Sequence, residues 1–228
     1  MKHAGKAGAA GRKLILLTLI LLVLLFGAGV LALLVGKVIV AFGGAIIVLW
    51  LLFVAFTLYF FRDPTPQVPS NPDAVVAPAH GKVDLIDEVE ETEFMGGRCR
   101  RISIFLSVFD VHVQNSPIGG RVALLRHRPG KFLNALSADS AVHNENVLVG
   151  FDSAEKPGEK IAIRLIAGLI ARRIIPWINP GDTVARGERV SLIQFGSRVD
   201  LYLPLSAKVA VKLGDRVRGG ETVMATRA

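Results

Sequence analysis

Acidic residues are missing from the first 61 positions of this 228-residue chain, and cysteine occurs only at Cys99. One thiol excludes an intrachain disulfide and any cysteine cluster around zinc. It suits the reducing side of a membrane. No His-x-His pair exists to complete a zinc site with His80 and Asp84, so no metal is expected. The G-x-S-x-G elbow of many serine hydrolases is missing too. Positive charge is also thin beyond the N-terminus. From Arg62 onward, 22 basic residues face 19 acidic ones, a balance of +3. Nucleic-acid binding needs a stronger basic stripe, and no such partner is expected. A small positive balance suits either a solvated surface or contact with anionic lipid headgroups.

What the front of the chain does have is apolar length. Leu14 to Val35 is 22 residues without a charge, and Val38 to Phe61 is 24 more. About 20 such residues span a bilayer. A cleaved signal peptide has a shorter apolar core, about 7–15 residues, and no second span directly behind it. Only Gly36-Lys37 separates the two segments, which predicts a two-helix membrane hairpin over 14–61. Lys2, Lys6, Arg12 and Lys13 precede it, Arg62 follows it, and Lys37 stands alone at its tip. The positive-inside rule then makes 1–13 a basic cytoplasmic N-terminus and puts the rest on the cytoplasmic face of the cell membrane.

Pro64, Pro66, Pro69, Pro72 and Pro78 make 62–78 an extended linker rather than a helix. Beyond it, short β-branched and aliphatic runs alternate with turn signals. This predicts a mostly β (α+β), antiparallel, sandwich- or barrel-like domain over 79–228. A short helix is expected near "LSADSAVHNEN". The stretch "IAIRLIAGLIARRI" reads as strand, given Gly168 and its β-branched residues. A repeat stands out: "PGDTVARGERV" from Pro180 and "LGDRVRGGETV" from Leu213 share G-D-x-V-x-x-G. Such glycine-bearing turns occur in biotinyl- and lipoyl-like sandwiches.

The stretch "LIQFGSRVDLYLP" reads as strand on both sides of Gly196-Ser197. Glycine inside a strand marks a bulge or a close approach to the backbone. A Gly-Ser pair also permits self-cleavage. The hydroxyl attacks the preceding carbonyl, turning amide into ester. Elimination then frees the upstream chain and leaves dehydroalanine, which hydrolyses to a pyruvoyl group. Asp110-x-His112 would share one strand face, where an Asp can orient a His for acid–base work. His143 has no evident partner, and His3 and His127 read as surface residues.

The chain resembles the phosphatidylserine decarboxylase proenzymes of the short, membrane-anchored type. The resemblance rests on "YFFRDPTPQVPSNPDAVVAPAHGKV", "SIFLSVFDVHVQNSPIGGRV", "PGKFLNA" with "NEN" after it, "IAGLIARRI", "GDTVARGERVSLIQFGSRVDLYLP" and "LGDRVRGGETVMA". It implies that Gly196-Ser197 is the processing site and that Ser197 becomes the covalent pyruvoyl cofactor. It implies a large chain, 1–196, paired with a small chain, 197–228. It also implies a phospholipid substrate in the bilayer, phosphatidylserine or a related serine-headgroup lipid, bound through a Schiff base and decarboxylated to phosphatidylethanolamine and CO2 with help from His112.

The family commonly has P-A-D-G where this chain has Pro78-Ala79-His80-Gly81. Many members carry D-x-H-x-x-H, where Asn115 here takes the place of the second His. In longer relatives those Asp and His residues assist self-cleavage. Three routes therefore stand open: His80 activates Ser197, His112 does both jobs, or backbone strain at Gly196 drives slow maturation. A different class of reading is a non-catalytic, membrane-tethered adaptor with a biotinyl/lipoyl-like domain. Lys208 and Lys212 lack the setting of a carrier lysine, which weighs against it.

Overall fold

The structure is a computed structural model and describes residues 6–35, 37–131, 143–168, 173–194 and 196–227. The helix expected over 136–146 falls largely on 132–142, outside the described residues. Two compact units divide at Thr57/Leu58.

The first unit holds helix α1 (Lys6–Val35) and most of helix α2 (Lys37–Phe60). Neither helix contains proline, and both are dominated by residues that lose little on burial in an apolar medium. Among the described residues, Phe42–Phe60 is long and apolar enough to cross a membrane, with a mean hydropathy of 2.3 over its 19 residues. Ile15–Gly29 is a shorter apolar stretch.

The second unit is almost entirely β. Its strands are β1 (Ala74–Val76), β2 (Gly81–Glu91), β3 (Gly97–Leu106), β4 (Val113–Asn115) and β5 (Gly120–Arg128). Then come β6 (Asn146–Ser153), β7 (Lys160–Ala167), β8 (Arg173–Pro176), β9 (Thr183–Val184) and β10 (Arg189–Gln194). The last four are β11 (Ser197–Leu203), β12 (Lys208–Val209), β13 (Arg216–Val217) and β14 (Val223–Thr226). Eight of them form one antiparallel sheet in the order β13-β2-β3-β11-β7-β6-β5-β9. Two smaller sheets run β4-β10-β8 and β1-β14-β12. Strand β1 lies inside the stretch expected to be a linker, and its residues are fully buried against β14. Within 161–174, residues 161–167 and 173–174 are strand, as their β-branched content predicts, while Gly168 lies just past the end of β7.

Alternation along the strands builds the core. Val199, Leu201 and Leu203 of β11 join Ile102, Ile104, Ile163 and Leu165 from β3 and β7 in one buried cluster. The intervening residues serve the other face. Arg198 pairs with Asp84 there, and the buried Tyr202 packs with Phe94 and Leu148.

The turn repeat proves to be structural. Gly181 and Gly214 have φ of 101° and 92°, while Gly187 and Gly220 have 77° and 74°. Left-handed values of this kind favour glycine. Asp182 and Asp215 each accept from the main-chain N–H three residues back, at 2.7 and 2.9 Å. The two turns place β9 and β13 on opposite edges of the eight-stranded sheet. They clamp matching segments, "PIGGRV" at Pro117 and "PAHGKV" at Pro78. The pairings Arg121↔Thr183 and Lys82↔Arg216 correspond residue for residue.

The sequence reads Leu192 to Leu203 as one strand interrupted by Gly196-Ser197. The structure separates it into two strands of different sheets. β10 pairs with β4 and β8, while β11 enters the large sheet between β3 and β7. Gly196 sits at the crossing.

Candidate active site

Ser197 is the first residue of β11, registered against Leu106 of β3 and Ala167 of β7. It is fully buried. Its Oγ has no hydrogen-bond partner among the described residues. A buried hydroxyl normally finds a partner, because leaving it unmatched costs roughly 1–3 kcal/mol. Beside it, Gly196 takes the left-handed conformation, with φ of 72°. Any other residue would be strained there.

The peptide groups of Gly196 are held from both sides. Its N–H donates to Nε2 of His112 at 3.1 Å. Its carbonyl accepts from the N–H of Gly168 at 3.1 Å. Gly168 follows the end of β7, so strand register aims that donor. A main-chain donor on this carbonyl stabilises negative charge on the oxygen if the carbon is attacked.

His112 is fully buried. Its Nδ1 lies 2.9 Å from the carbonyl oxygen of Asp110. Nδ1 therefore carries the proton, and Nε2 accepts from Gly196. The ring packs on Phe60, with centroids 4.3 Å apart and planes 31° apart. Burial pushes the imidazole down to about 4, against a smaller upward pull from the hydrogen bond to Asp110. His112 is thus neutral near pH 7.

Asp110 and His112 do not share a strand face. They lie in the turn between β3 and β4, and only the Asp110 main chain touches the ring. The Asp110 carboxylate instead accepts from the Ser107 N–H and Oγ–H, at 2.9 and 2.8 Å, and closes the turn. Asp favours this local bond over a strand ladder. Its other oxygen is 3.4 Å from Arg216.

His80 is half-buried in the bend before β2 and makes no hydrogen bond to Ser197. Burial lowers its pKa, Glu221 and Asp110 raise it, and Arg62 and Arg218 lower it further. The two departures from the family pattern meet at one point. A Cβ built on Gly219 would come within 3.1 Å of His80 and 2.6 Å of Asn115. The Asn115 amide donates to the Gly187 carbonyl at 2.9 Å, so it is a structural tie. His80, Asp110, Arg62, Arg216 and Arg218 border a cavity of about 380 Å³. A larger hollow of about 480 Å³, near Cys99 and Pro204, contains none of these residues.

Reasoning from sequence missed Gly168, Phe60 and the arginines. Gly168 acts through its backbone, which has no sequence signature. Phe60 looked like membrane span, yet it is buried on His112. Its neighbours are engaged as well: the Tyr59 hydroxyl and the Arg62 guanidinium both donate to the Phe109 carbonyl, at 3.2 and 2.7 Å.

The profile of the phosphatidylserine decarboxylase family matches residues 53–225. Among curated relatives, a phosphatidylserine decarboxylase proenzyme of Desulfotalea psychrophila is 49% identical over 77% of this chain and 81% of its own. Proenzymes of the same name from Magnetococcus marinus and Symbiobacterium thermophilum are 45% and 44% identical. These matches cover 78% and 74% of this chain, and 80% and 78% of the relatives.

Proposed function

The chain belongs to the phosphatidylserine decarboxylase family, and from that premise we propose that it is a self-processing, pyruvoyl-dependent enzyme of the membrane surface. It converts phosphatidylserine to phosphatidylethanolamine and CO2. One observation carries the reading: a fully buried Ser197 hydroxyl, without a partner among the described residues, follows a left-handed glycine whose N–H and C=O are both held.

Those residues fit the origin of a pyruvoyl group. The Ser197 Oγ attacks the Gly196 carbonyl carbon, the C–N bond breaks, and the Ser197 nitrogen leaves as an amine. The N–H of Gly168 supports the oxygen that gains charge. Loss of the Ser197 Cα proton then expels the Gly196 carboxylate and leaves dehydroalanine. Water replaces the nitrogen, which departs as ammonia. A pyruvoyl carbonyl condenses with a primary amine and accepts the electron pair left as a carboxylate departs as CO2.

His112 has two successive tasks. In the uncut chain its Nε2 fixes the Gly196 peptide. Cutting unties Gly196 from β11 and opens the Nε2 lone pair to substrate. A neutral imidazole there takes a proton from the substrate ammonium and returns it to the carbon that lost CO2. Burial of this site favours the loss of a charged carboxylate. His80 serves from the cavity wall, and Asp110 positions His112 through its carbonyl and the Ser107 turn.

The proposed chains are 1–196 and 197–228. The small chain contributes β11, β12, β13 and β14, and ladders to β3, β7, β2 and β1 keep it in place. The proposed layout has a two-helix membrane hairpin over 14–61 and the catalytic domain over 79–228, on the cytoplasmic face. The four basic residues before the first apolar segment support that orientation. The adaptor reading gives no use to a buried, unmatched hydroxyl.

Intact mass and CO2 release from phosphatidylserine, for wild type and Ser197→Ala, test the proposal. Wild type should give two chains, the smaller with a pyruvoyl terminus. Ser197→Ala should give one folded, inert chain. An uncut wild type that still decarboxylates would exclude the pyruvoyl route.

A further inference from the structure

The two copies of the turn repeat share backbone and differ in where their arginines fall. At the β5 edge, the residues after Gly181-Asp182 are Thr183, Val184 and Ala185. At the β2 edge, the residues after Gly214-Asp215 are Arg216, Val217 and Arg218. The clamped segments differ in the same sense, with Gly119 at one edge and His80 at the other. The first copy's arginines, Arg186 and Arg189, fall at other positions and are tied to the chain: Arg186 donates to the Asn71 and Ala74 carbonyls at 2.6 and 2.9 Å, and Arg189 to Asp63 at 2.7 Å. Arg216 and Arg218 instead border the cavity with only long carboxylate contacts, which leaves their charge available to a ligand.

We propose that Arg216 and Arg218, with Arg62, form a subsite for the phosphodiester of the lipid headgroup. The inference rests on the decarboxylase reading. Arg216 and Arg218 are poorly matched where they stand. Their nearest carboxylate contacts are 3.4 Å to Asp110 and 3.7 Å to Glu221, with side chains 75% and 77% exposed. Exposed pairs of this kind contribute little, so a ligand oxyanion can replace them. Guanidinium forks match phosphate oxygens well. Arg62 is held by the carbonyls of Tyr59 and Phe109, which fixes its charge at the cavity wall.

The placement suits the substrate. Lys82 is registered with Phe105 of β3, and the neighbouring Leu106 with Ser197 of β11. Arg216 is registered with Lys82, so three strand spacings, about 14 Å, separate its main chain from the reacting residue. An extended arginine side chain together with the few bonds between the phosphorus and the amine of a serine headgroup covers that gap. Tyr59, Phe61 and Phe109 are exposed beside the arginines and offer apolar contact to the rest of a lipid.

The test uses the mature protein and water-soluble amines, which removes adsorption to a membrane. Glycerophosphoserine carries the phosphodiester and O-methylserine does not. Each is trapped on the small chain by borohydride reduction, and adduct is read by intact mass against concentration. Wild type should half-saturate at a concentration at least about tenfold lower with glycerophosphoserine, the scale of a charged hydrogen bond. Arg216→Gln/Arg218→Gln should lose that advantage, leave O-methylserine unchanged, and still yield two chains. Equal half-saturation by the two amines in wild type, or an unchanged advantage in the variant, overturns the subsite. So does competition by inorganic phosphate as strong as that by glycerophosphocholine, which would mark a free-phosphate site. No adduct with either amine sinks the pyruvoyl reading itself, and the subsite with it.

Discussion

The main-chain N–H of Gly196 donates to Nε2 of His112 across 84 residues of sequence. In the uncut chain, the imidazole is occupied by the residue that the proposed cleavage would untie from β11. The same atom cannot hold Gly196 and serve a substrate at once. On the proposed mechanism, one hydrogen bond therefore orders maturation and catalysis in time.

Replacing His112 should separate the two events. His112→Ala still leaves Ser197 buried and the Gly168 donor in place. Two chains are expected on a denaturing gel, with turnover lowered by roughly 10²–10⁴, the usual range for a general acid–base group. Wild-type turnover in this variant would remove His112 from the mechanism. A single uncut chain would make it essential to maturation instead.

His80 lies against the cavity and not against Ser197. Its removal should spare self-cleavage. His80→Ala and His80→Asp are expected to process at the wild-type rate, followed by gel after synthesis. Processing restricted to wild type and His80→Asp would return His80 to the cleavage step.

Acid should destabilise the uncut fold through His112. The unfolded imidazole titrates near 6.5 and the folded one near 4. Between those values the unfolded chain binds a proton that the folded chain refuses, so stability falls as pH falls through the window. Asp110 and Arg62, the charged neighbours of the ring, act in opposite senses. Melting of Ser197→Ala should therefore fall more steeply from pH 6.5 to 4 than that of Ser197→Ala/His112→Gln. Parallel profiles would refute this origin.

Arg227 fastens the end of the proposed small chain. Its side chain is 1% exposed and reaches Glu159 at 3.0 Å and Glu155 at 3.4 Å. It also donates to the Pro72 carbonyl and, at 2.9 Å, to the Ser153 hydroxyl. Arg227→Ala should cost about 2–3 kcal/mol, discounted because the glutamates keep some access to water. Chemical denaturation of the uncut Ser197→Ala chain measures it directly. A change below about 0.5 kcal/mol would make the cluster a surface feature.

Much of this was legible from residues alone. Period-two alternation marks the strands, and the G-D-x-V-x-x-G spacing marks two turns whose glycines need positive φ. The hand-over at Gly196 was not legible, because apolar alternation looks the same whichever sheet receives the strand. Asp110-x-His112 misled for a related reason. Spacing puts the pair on one face only in a strand, and the Ser107 cap made a turn. Phe60 and Gly168 were invisible for opposite reasons. One was hidden in an apolar run, and the other contributes only backbone.

The position of β11 in the middle of the large sheet has a consequence for reversibility. An uncut chain brings β11 between β3 and β7 as a unimolecular event. Once cut, that insertion needs two polypeptides to meet, and its rate depends on their concentration. The small chain would arrive as four strands whose partners all lie on the other chain, apart from β12 and β14, which pair with each other. Denatured proenzyme should regain its fold on dilution, whereas denatured mature enzyme should not at low concentration. On the proposed cut, folding must come first and cutting second, and the mature molecule would be held in its shape by history as much as by equilibrium.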